Sequence, residues 1–285
     1  MIPPFDYKTP NTIQEAVELL WQAEGKAKII AGGTDVVIGL RNGDHTPKLI
    51  IDITRIEELQ KIEEKNGAIS IGAVVTHSEI ASSPLITKYA KVLSDAASEI
   101  GSPQIRNLGT IGGNVINASP AADTIPPLLV LNAIGRVASR EGEKEVPFSQ
   151  LLKGPYETDL KPHELLVQIK FPKLPPDMRS CFIRLARRDA MAIARMSVAI
   201  LLRTKKDRIE DIRISVGSVT PTPQRMSEAE AFLMGKSPDE EALKRASLKV
   251  SETMIHRSGV RPSTSYKRPV VGTLFMRAMR KALEG

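Results

Sequence analysis

Two short segments that contain paired glycines constrain this chain more than any other feature. The first, residues 29–36 (IIAGGTDV), leads from apolar residues into Gly32 and Gly33, and the second, residues 110–123 (TIGGNVINASPAAD), repeats the pattern farther along. Glycine permits positive φ angles and lets backbone N–H groups close on a ligand, as a diphosphate requires. Either segment alone is more often a strand-to-helix turn or a bulge. Together they predict that one phosphate-containing ligand binds between them.

Neither segment matches the common nucleotide-binding motifs. Residues 29–36 lack the G-x-G-x-x-G spacing of a Rossmann turn. Residues 234–237 (MGKS) fail as a P-loop because Glu230 stands where the first glycine is required. The sequence therefore does not predict an ordinary NAD-binding or ATP-binding domain.

The composition is typical of a globular protein with one large or two ordinary domains. The chain has 285 residues, of which 41% are hydrophobic and 26% are charged. No apolar stretch approaches the length of about 18 residues that a membrane span needs. The first residues (MIPPFDYKTP) lack the features of a secretory signal. We therefore expect no membrane span and a cytoplasmic location.

Side chains that could perform chemistry are sparse. Cys181 is the single cysteine, which excludes an internal disulfide framework and a cysteine-only metal or iron–sulfur site in this chain. No nucleophile elbow is present. Four widely separated histidines show no metal-ligand spacing and are expected to be structural or on the surface: His45, His77, His163 and His256. We predict no metal site and no catalytic side chain.

Hydrophobic periodicity predicts an α+β fold. An amphipathic helix is predicted over residues 12–23, strands near 26–30, 49–53 and 68–75, a capping box at Thr76 and Glu79, and one helix over 85–100 that ends at Gly-Ser-Pro. The proline-rich residues 170–179 form the best linker, so we divide the chain into domains 1–175 and 176–285. Paired strands and then helices are predicted beyond it.

A basic run without acidic residues lies near the end of the chain. A solvated helix face with a loop is the first interpretation, a docking surface for an acidic partner the second, and nucleic-acid binding the third. Aromatic residues make up only 4% of the chain and are not interleaved with the basic ones, which argues against nucleic acid. The run comprises Arg257, Arg261, Lys267, Arg268, Arg277, Arg280 and Lys281.

Three segments closely resemble the FAD-binding medium subunit of the molybdenum hydroxylase family, to which the xanthine dehydrogenase and carbon monoxide dehydrogenase flavoproteins belong. They are residues 29–36, residues 100–131 (IGSPQIRNLGTIGGNVINASPAADTIPPLLVL) and residues 182–200 (FIRLARRDAMAIARMSVAI). The resemblance covers essentially the whole chain, with a softer match at residues 259–283. It implies a two-lobed FAD-binding domain of the PCMH type, followed by a smaller C-terminal domain with an antiparallel sheet packed on helices.

The resemblance also implies which residues hold FAD, noncovalently. Backbone donors of the first segment would bind the diphosphate, and the second segment would supply further phosphate and ribityl contacts, with hydrogen bonds from Thr110 and Asn114. The residues implied are Ile29, Ile30, Ala31, Gly32, Gly33, Thr34, Asp35, Val36, Ile100, Thr110, Ile111, Gly112, Gly113, Asn114, Asp123, Leu165, Leu166 and Arg184.

Three of these assignments have structural alternatives. Asp123 would bond an FAD hydroxyl or the adenine edge, or would instead cap the helix that follows. Leu165 or Leu166 would contact the isoalloxazine ring, or both would be strand core. Arg184 would lie near the flavin, where a cation favours reduction, or would be an exposed surface arginine.

The resemblance implies a subunit that carries electrons and has no chemistry of its own on an organic substrate. A molybdopterin large subunit would oxidise the substrate, and an iron–sulfur small subunit with two [2Fe–2S] clusters would deliver the electrons to FAD. NAD⁺ or another acceptor would then receive the electrons from FAD. The assembly is expected to be a dimer of heterotrimers. A self-contained FAD-dependent oxidoreductase and a non-catalytic nucleotide-binding module remain the alternatives.

Two questions stay open at this point, the organic substrate of the complex and its electron acceptor. Many members of the family have a Gly-Asp-aromatic segment where this chain has Asp189-Ala190-Met191. Which side chain covers the flavin is therefore also open.

Overall fold

The computed structural model describes residues 2–188 and 191–284. Asp189 and Ala190, which stand where many family members have Gly-Asp, lie outside the described residues. Three units follow one another along the chain, each built on its own sheet. None of the described helices is long and apolar enough to cross a membrane.

The first unit is a small lobe built on a parallel sheet. Its elements are β1 (Asp6–Lys8), α1 (Ile13–Gln22), β2 (Ala27–Ile30), α2 (Val36–Asn42) and β3 (Leu49–Asp52), with strand order β1-β3-β2. Helix α1 begins where the sequence predicted, because the Thr12 hydroxyl accepts a hydrogen bond from the Glu15 N–H. The α1 residues that repeat at helical spacing are buried against the sheet.

The second unit is a larger lobe with a five-stranded antiparallel sheet in the order β4-β5-β10-β6-β7. A 3₁₀ turn (Glu57–Gln60) leads into the sheet. The strands are β4 (Ile62–Lys65), β5 (Ala68–Gly72), β6 (Ile134–Ser139), β7 (Gly142–Pro147) and β10 (Leu165–Pro172), with a separate hairpin of β8 (Leu152–Gly154) and β9 (Glu157–Thr158).

Seven short helices belong to this lobe among the described residues. They are α3 (His77–Ser82), α4 (Pro84–Tyr89), α5 (Lys91–Ser98), α6 (Pro103–Leu108), α7 (Ile111–Asn117), α8 (Ile125–Val130) and α9 (Phe148–Leu151). The predicted capping box at Thr76 and Glu79 starts α3.

Two predictions for this lobe were wrong. The single helix expected over residues 85–100 is two helices, because Ala90 leaves the helical region with φ −152° and ψ 46°. Ser102 and Pro103 were expected only to end a helix, whereas the Ser102 hydroxyl accepts from the Ile105 N–H and starts α6. Proline at a first helical position is as compatible with a start as with a stop, and only the cap distinguishes them.

The third unit is a four-stranded antiparallel sheet packed on helices. Its strands are β11 (Arg179–Leu185), β12 (Met196–Lys205), β13 (Arg208–Gly217) and β14 (Gln224–Arg225), in that order across the sheet. Its helices are α10 (Ser227–Leu233), α11 (Glu240–Ser258) and α12 (Thr264–Glu284).

The two faces of this sheet bury different side chains, since neighbours along a strand point to opposite sides. Cys181 and Ile200 pack with the helices of the third unit, whereas Phe182, Ala199 and Leu201 belong to the core of the second lobe. The expected α+β architecture, a two-lobed domain followed by a smaller domain with an antiparallel sheet on helices, is thereby confirmed. The boundary at residues 175 and 176 falls between β10 and β11 and stays a prediction.

Candidate functional site

The fold brings the two glycine segments together. Gly32 lies directly on the backbone just before the second segment, since a Cβ added there would be only 1.7 Å from the carbonyl oxygen of Leu108. Asn117 Nδ2 donates to Asp35 Oδ1 at 3.0 Å, which joins the middle of the second segment to the first. A single ligand can therefore contact both.

The first segment forms a turn from β2 into α2, and several of its backbone N–H groups have no acceptor among the described residues. Gly33 has a φ of +70°, a left-handed conformation that favours glycine. Within the residues that the structure describes, the N–H groups of Gly32, Gly33, Thr34 and Asp35 have no hydrogen-bond acceptor. Consecutive N–H groups of this kind form a nest that suits an anion such as a phosphate.

The glycines of the second segment lie in a helix, because residues 111–117 form α7 and only residues 118–123 form a loop, and this revises how the glycines act. The N–H of Gly112 donates to the Ala73 carbonyl at 2.9 Å, and the N–H of Gly113 to Thr110 Oγ1 at 3.1 Å, where Thr110 is the N-cap of α7. Neither N–H is free for a phosphate, and a contact of this segment with FAD stays a prediction. Gly112 instead permits close packing, because an added Cβ would meet the Ala73 oxygen at 2.5 Å.

Polar side chains of α7 remain candidates for a ligand contact. Thr110 is buried and serves the cap, whereas Asn114 is half-buried and accepts a hydrogen bond from Thr124 through Oδ1 at 2.6 Å. That bond fixes the side chain and leaves the amide NH₂ as a donor. Asn117 was missed by the sequence reasoning, although it lies three residues after Asn114 and so on the same side of a helix.

Asp123 and Arg184 form a buried ion pair between the second lobe and β11. Arg184 Nη1 lies 3.3 Å from Asp123 Oδ2, and Arg184 Nε lies 3.2 Å from Glu99 Oε2. The Arg184 side chain is 4% exposed and that of Asp123 7%. The alternative in which Asp123 caps the following helix was therefore wrong, because the N-cap of α8 is Thr124. The alternative in which Arg184 is an exposed surface residue was also wrong.

The carboxylate of Asp123 is not fully satisfied by the protein. Its Oδ1 is buried and has no hydrogen-bond partner among the described residues. Burial raises the pKa of Asp123 to about 7, although the attraction of Arg184 opposes the rise. A buried acceptor without a donor is costly, so a ligand hydroxyl or N–H at Oδ1 would be stabilising.

A second buried group is the imidazole of His77 at the start of α3, a residue that the sequence predicted to be structural or on the surface. It is 2% exposed, its Nδ1 has no partner in the described part of the chain, and an added Cβ at Gly109 would lie 3.2 Å from its ring. Burial, and then the charge of Arg106, lower its pKa to about 4. The ring thus supports the backbone beside Gly32 in its neutral form.

This arrangement fits a dinucleotide with a diphosphate. The nest at residues 32–35 suits the phosphates, the Asn114 amide is a further donor on α7, the helix that Asn117 joins to Asp35, and Asp123 Oδ1 can accept from a hydroxyl. No group of histidine, cysteine, aspartate and glutamate that could hold a metal ion exists among residues 2–188 and 191–284.

Comparisons with known proteins decide which dinucleotide binds. Residues 3–174 match the family of the FAD binding domain in molybdopterin dehydrogenase, and residues 182–282 match the CO dehydrogenase flavoprotein C-terminal domain. The chain belongs to this family of FAD-binding subunits. Its cofactor is FAD, as the sequence indicated.

Curated relatives agree over their whole length. The chain is 33% identical to the glyceraldehyde dehydrogenase medium chain of Sulfolobus acidocaldarius, with 99% of each protein covered. It is 31% identical to the 6-hydroxypseudooxynicotine dehydrogenase complex subunit alpha of Paenarthrobacter nicotinovorans, with 99% of this chain and 95% of that protein covered.

Solved structures agree as well. Carbon monoxide dehydrogenase from Hydrogenophaga pseudoflava, which lacks the Mo-pyranopterin moiety of its molybdenum cofactor, contains a chain that superposes with a TM-score of 0.94 at 30% identity, covering 100% of this chain and 99% of that one. A chain of quinoline 2-oxidoreductase from Pseudomonas putida 86 gives 0.91 at 28% identity, with 100% and 99% covered.

Within the FAD-binding subunit, the remaining predicted residues have mixed settings. Ile29 and Ile30 are half-buried in β2, and Ile100 is half-buried where its carbonyl accepts from Arg106. Leu165 and Leu166 are both buried and lie in the cores of different lobes. The strand-core alternative therefore describes these leucines, and a contact with the isoalloxazine ring stays a prediction.

Proposed function

We propose that this chain is the electron-transfer subunit of a molybdenum hydroxylase complex, which receives electrons from [2Fe–2S] clusters of a partner subunit and passes them to NAD⁺ or another acceptor. When bound, FAD supplies the electron exchange, and the protein supplies binding, orientation and electrostatics. The observation that carries the proposal is the nest of N–H groups at residues 32–35. These groups have no acceptor among the described residues, and Asp35 is joined to α7 through Asn117, in a chain whose family carries FAD.

The eighteen residues implied by the resemblance remain our proposal for the FAD site, with different roles for some. Gly32, Gly33, Thr34 and Asp35 would bind the diphosphate through their N–H groups, as expected. Gly112 and Gly113 would shape the site instead of donating to it.

The role of Arg184 changes in a similar way. A guanidinium already paired with two carboxylates does not act as an isolated positive charge near the flavin. We assign it instead to holding Asp123 in place, so that Oδ1 can accept a hydrogen bond from the cofactor. Arg184 is then a positioning residue, and its loss should weaken FAD binding through Asp123.

The flavin itself gives the first test. Purified chain is precipitated with acid, and the supernatant is analysed by absorption and by chromatography against FAD and FMN standards. We expect one FAD per chain in the supernatant, because neither glycine segment contains a histidine or a cysteine that could form a covalent link to the flavin. FMN in place of FAD, or flavin retained in the pellet, would contradict the assignment.

Reconstitution gives the second test. The FAD-loaded chain is mixed with an aldehyde, a purine or carbon monoxide, and bleaching of the flavin absorption is followed with and without iron–sulfur and molybdenum subunits. We expect bleaching only in the complete mixture. Turnover by the isolated chain would refute the subunit assignment and favour a self-contained flavoenzyme; protein that never takes up flavin would favour the nucleotide-binding module.

Other features of the complex stay predictions: the dimer of heterotrimers, the cytoplasmic location and the division of the chain after residue 175. The relatives differ in the substrates that their names print, including glyceraldehyde and carbon monoxide. We therefore assign no organic substrate.

A further inference from the structure

A cavity of about 340 Å³ lies where the C-terminal unit meets the second lobe. Pro120 and Pro155 line it from the lobe, and residues 218–221 and the beginning of α12 line it from the C-terminal unit. The two sides are joined at its edge, where the Ser218 N–H donates to the Pro120 carbonyl at 2.9 Å. None of the lining residues is among the eighteen proposed for the FAD site, although Pro120 lies in the second glycine segment, so the cavity needs an explanation of its own.

The charge that lines this cavity is entirely positive. Lys267 and Arg261 both contribute, and no aspartate or glutamate is found among its lining residues in the described chain. Lys267 Nζ donates to the Ser218 carbonyl at 2.6 Å, which directs the ammonium group to the wall of the cavity. Burial, and then repulsion by Arg261 and Arg195, lower the pKa of Lys267. An anion in the cavity would relieve that repulsion.

Backbone and hydroxyl donors surround the two cations. Helix α12 begins at Thr264 and is 21 residues long, so its positive end faces the same region. The N–H groups of Ser265 and Tyr266 have no acceptor within the described residues, and the Ser263 hydroxyl, which lines the cavity, likewise has no partner there. Phosphate oxygens are satisfied by several convergent donors of this kind.

Part of the remaining wall is apolar, beside Ser218, Thr220 and Ser258, and the cavity leaves more room than a bare phosphate ion fills. Pro120, Pro155, Val219, Pro221 and Met254 supply these surfaces. The volume is at the lower end of the range of about 300–1,000 Å³ for small-molecule sites. A ligand that carries both a phosphate and a ring, as a nucleotide does, matches the combination of donors and apolar walls.

We propose that this cavity binds a phosphate ester of about nucleotide size, with Lys267 and Arg261 contacting the phosphate and the proline-rich wall contacting the rest of the ligand. The proposal goes beyond the electron-transfer function and does not rest on it. It also changes the interpretation of the basic run, because two of its cations face a small-molecule cavity, and a third, Arg280, is paired with Glu240.

The test uses the FAD-loaded chain, so that the flavin site is already filled. Binding of AMP, pyrophosphate and inorganic phosphate is measured by isothermal titration calorimetry at constant ionic strength. We compare Lys267→Met and Arg261→Gln with Arg268→Gln, a control that removes the same charge from an exposed residue of α12 that does not line the cavity. Flavin content and melting temperature confirm that each variant is folded.

We expect AMP to bind more tightly than inorganic phosphate, and each of the two cavity variants to weaken AMP about tenfold or more, since each removes a charge-assisted bond. Arg268→Gln should change the affinity less than about twofold. Arg261→Gln keeps the test decisive if Lys267→Met fails to fold, because Arg261 does not hold Ser218. Absence of saturable binding, equal weakening by the control, or inorganic phosphate binding as tightly as AMP would each overturn the proposal.

Discussion

Asp123 should make the stability of the FAD-free chain fall as the pH rises, which is opposite to the usual effect of a carboxylate. Burial raises its pKa from 3.8 to about 7 in the folded protein. Between these two values the folded chain keeps a proton that the unfolded chain has lost, so each step up in pH favours unfolding. The difference between the two pKa values corresponds to a loss of about 4 kcal/mol in the free energy of unfolding, which is reached near pH 7 and stays constant above it.

Asp123→Asn removes this dependence, because the amide has the same shape and is neutral at every pH. The free energy of unfolding is measured with urea for both proteins in steps from pH 4 to pH 8. The free energy of unfolding of the variant minus that of the wild type should rise by about 4 kcal/mol across that range. The slope should be at most about 1.4 kcal/mol per pH unit. Other titrating groups cancel in the difference, provided that both proteins unfold in two states.

Asp159→Asn is the matched control. Asp159 is exposed, and its hydrogen bond and ion pair with Lys153 lower the pKa of the carboxyl. The stability that this pair contributes is constant above the ordinary pKa of 3.8 and is lost only as the pH falls below it, so the control difference should stay nearly flat between pH 4 and pH 8. A difference for Asp123→Asn that stays flat from pH 4 to pH 8, or follows the control, would refute the argument.

Three further predictions follow from the same contacts. Arg184→Met should destabilise the chain by about 3–5 kcal/mol in urea unfolding, because it leaves Asp123 buried without its partner. We expect loss of FAD with an unchanged circular dichroism spectrum from Gly33→Val, at a φ of +70°, and from Gly113→Val. Gly32→Val should instead disturb the fold itself, because the new side chain would meet the Leu108 carbonyl. The free energy of unfolding of His77→Leu should fall less than that of the wild type as the pH is lowered from 6.5 to 4. In that range the unfolded chain binds a proton at His77 that the folded chain, with its lowered pKa, does not bind.

Local patterns predicted the parts of the fold that local interactions determine. Helix α1 follows from its apolar spacing and the Thr12 cap, and the start of α3 follows from the capping box. The break at Ala90 has no such signal, since alanine is a good helix former and nothing near it in sequence forces the chain to turn. That break depends on tertiary packing, because Ala90 and its neighbours Val92 and Leu93 are buried in the second lobe.

The sequence named candidate residues for the site but not the bonds that they make. The glycine pairs predict a phosphate site, yet only the fold shows that Gly112 gives its N–H to Ala73, far away in sequence. Burial of Arg184 likewise depends on β11 lying against the second lobe, which no spacing within residues 182–200 reveals. Pairings between distant segments were therefore beyond the sequence alone.

The contacts of Arg184 imply that the C-terminal unit is part of the proposed FAD site and not an appendage to it. Its guanidinium reaches from β11 to Asp123 and Glu99, and the Met191 N–H donates to the Gly101 carbonyl, so two separate points of this unit hold the backbone on either side of the second glycine segment. A domain that only docked partners would not need to supply the counter-ion of a buried carboxylate in its neighbour. Removing that counter-ion costs more than an exposed contact would, because the charge left behind stays out of water. The C-terminal unit therefore supplies the counter-ion of Asp123, and we expect both units together to be required for the proposed site.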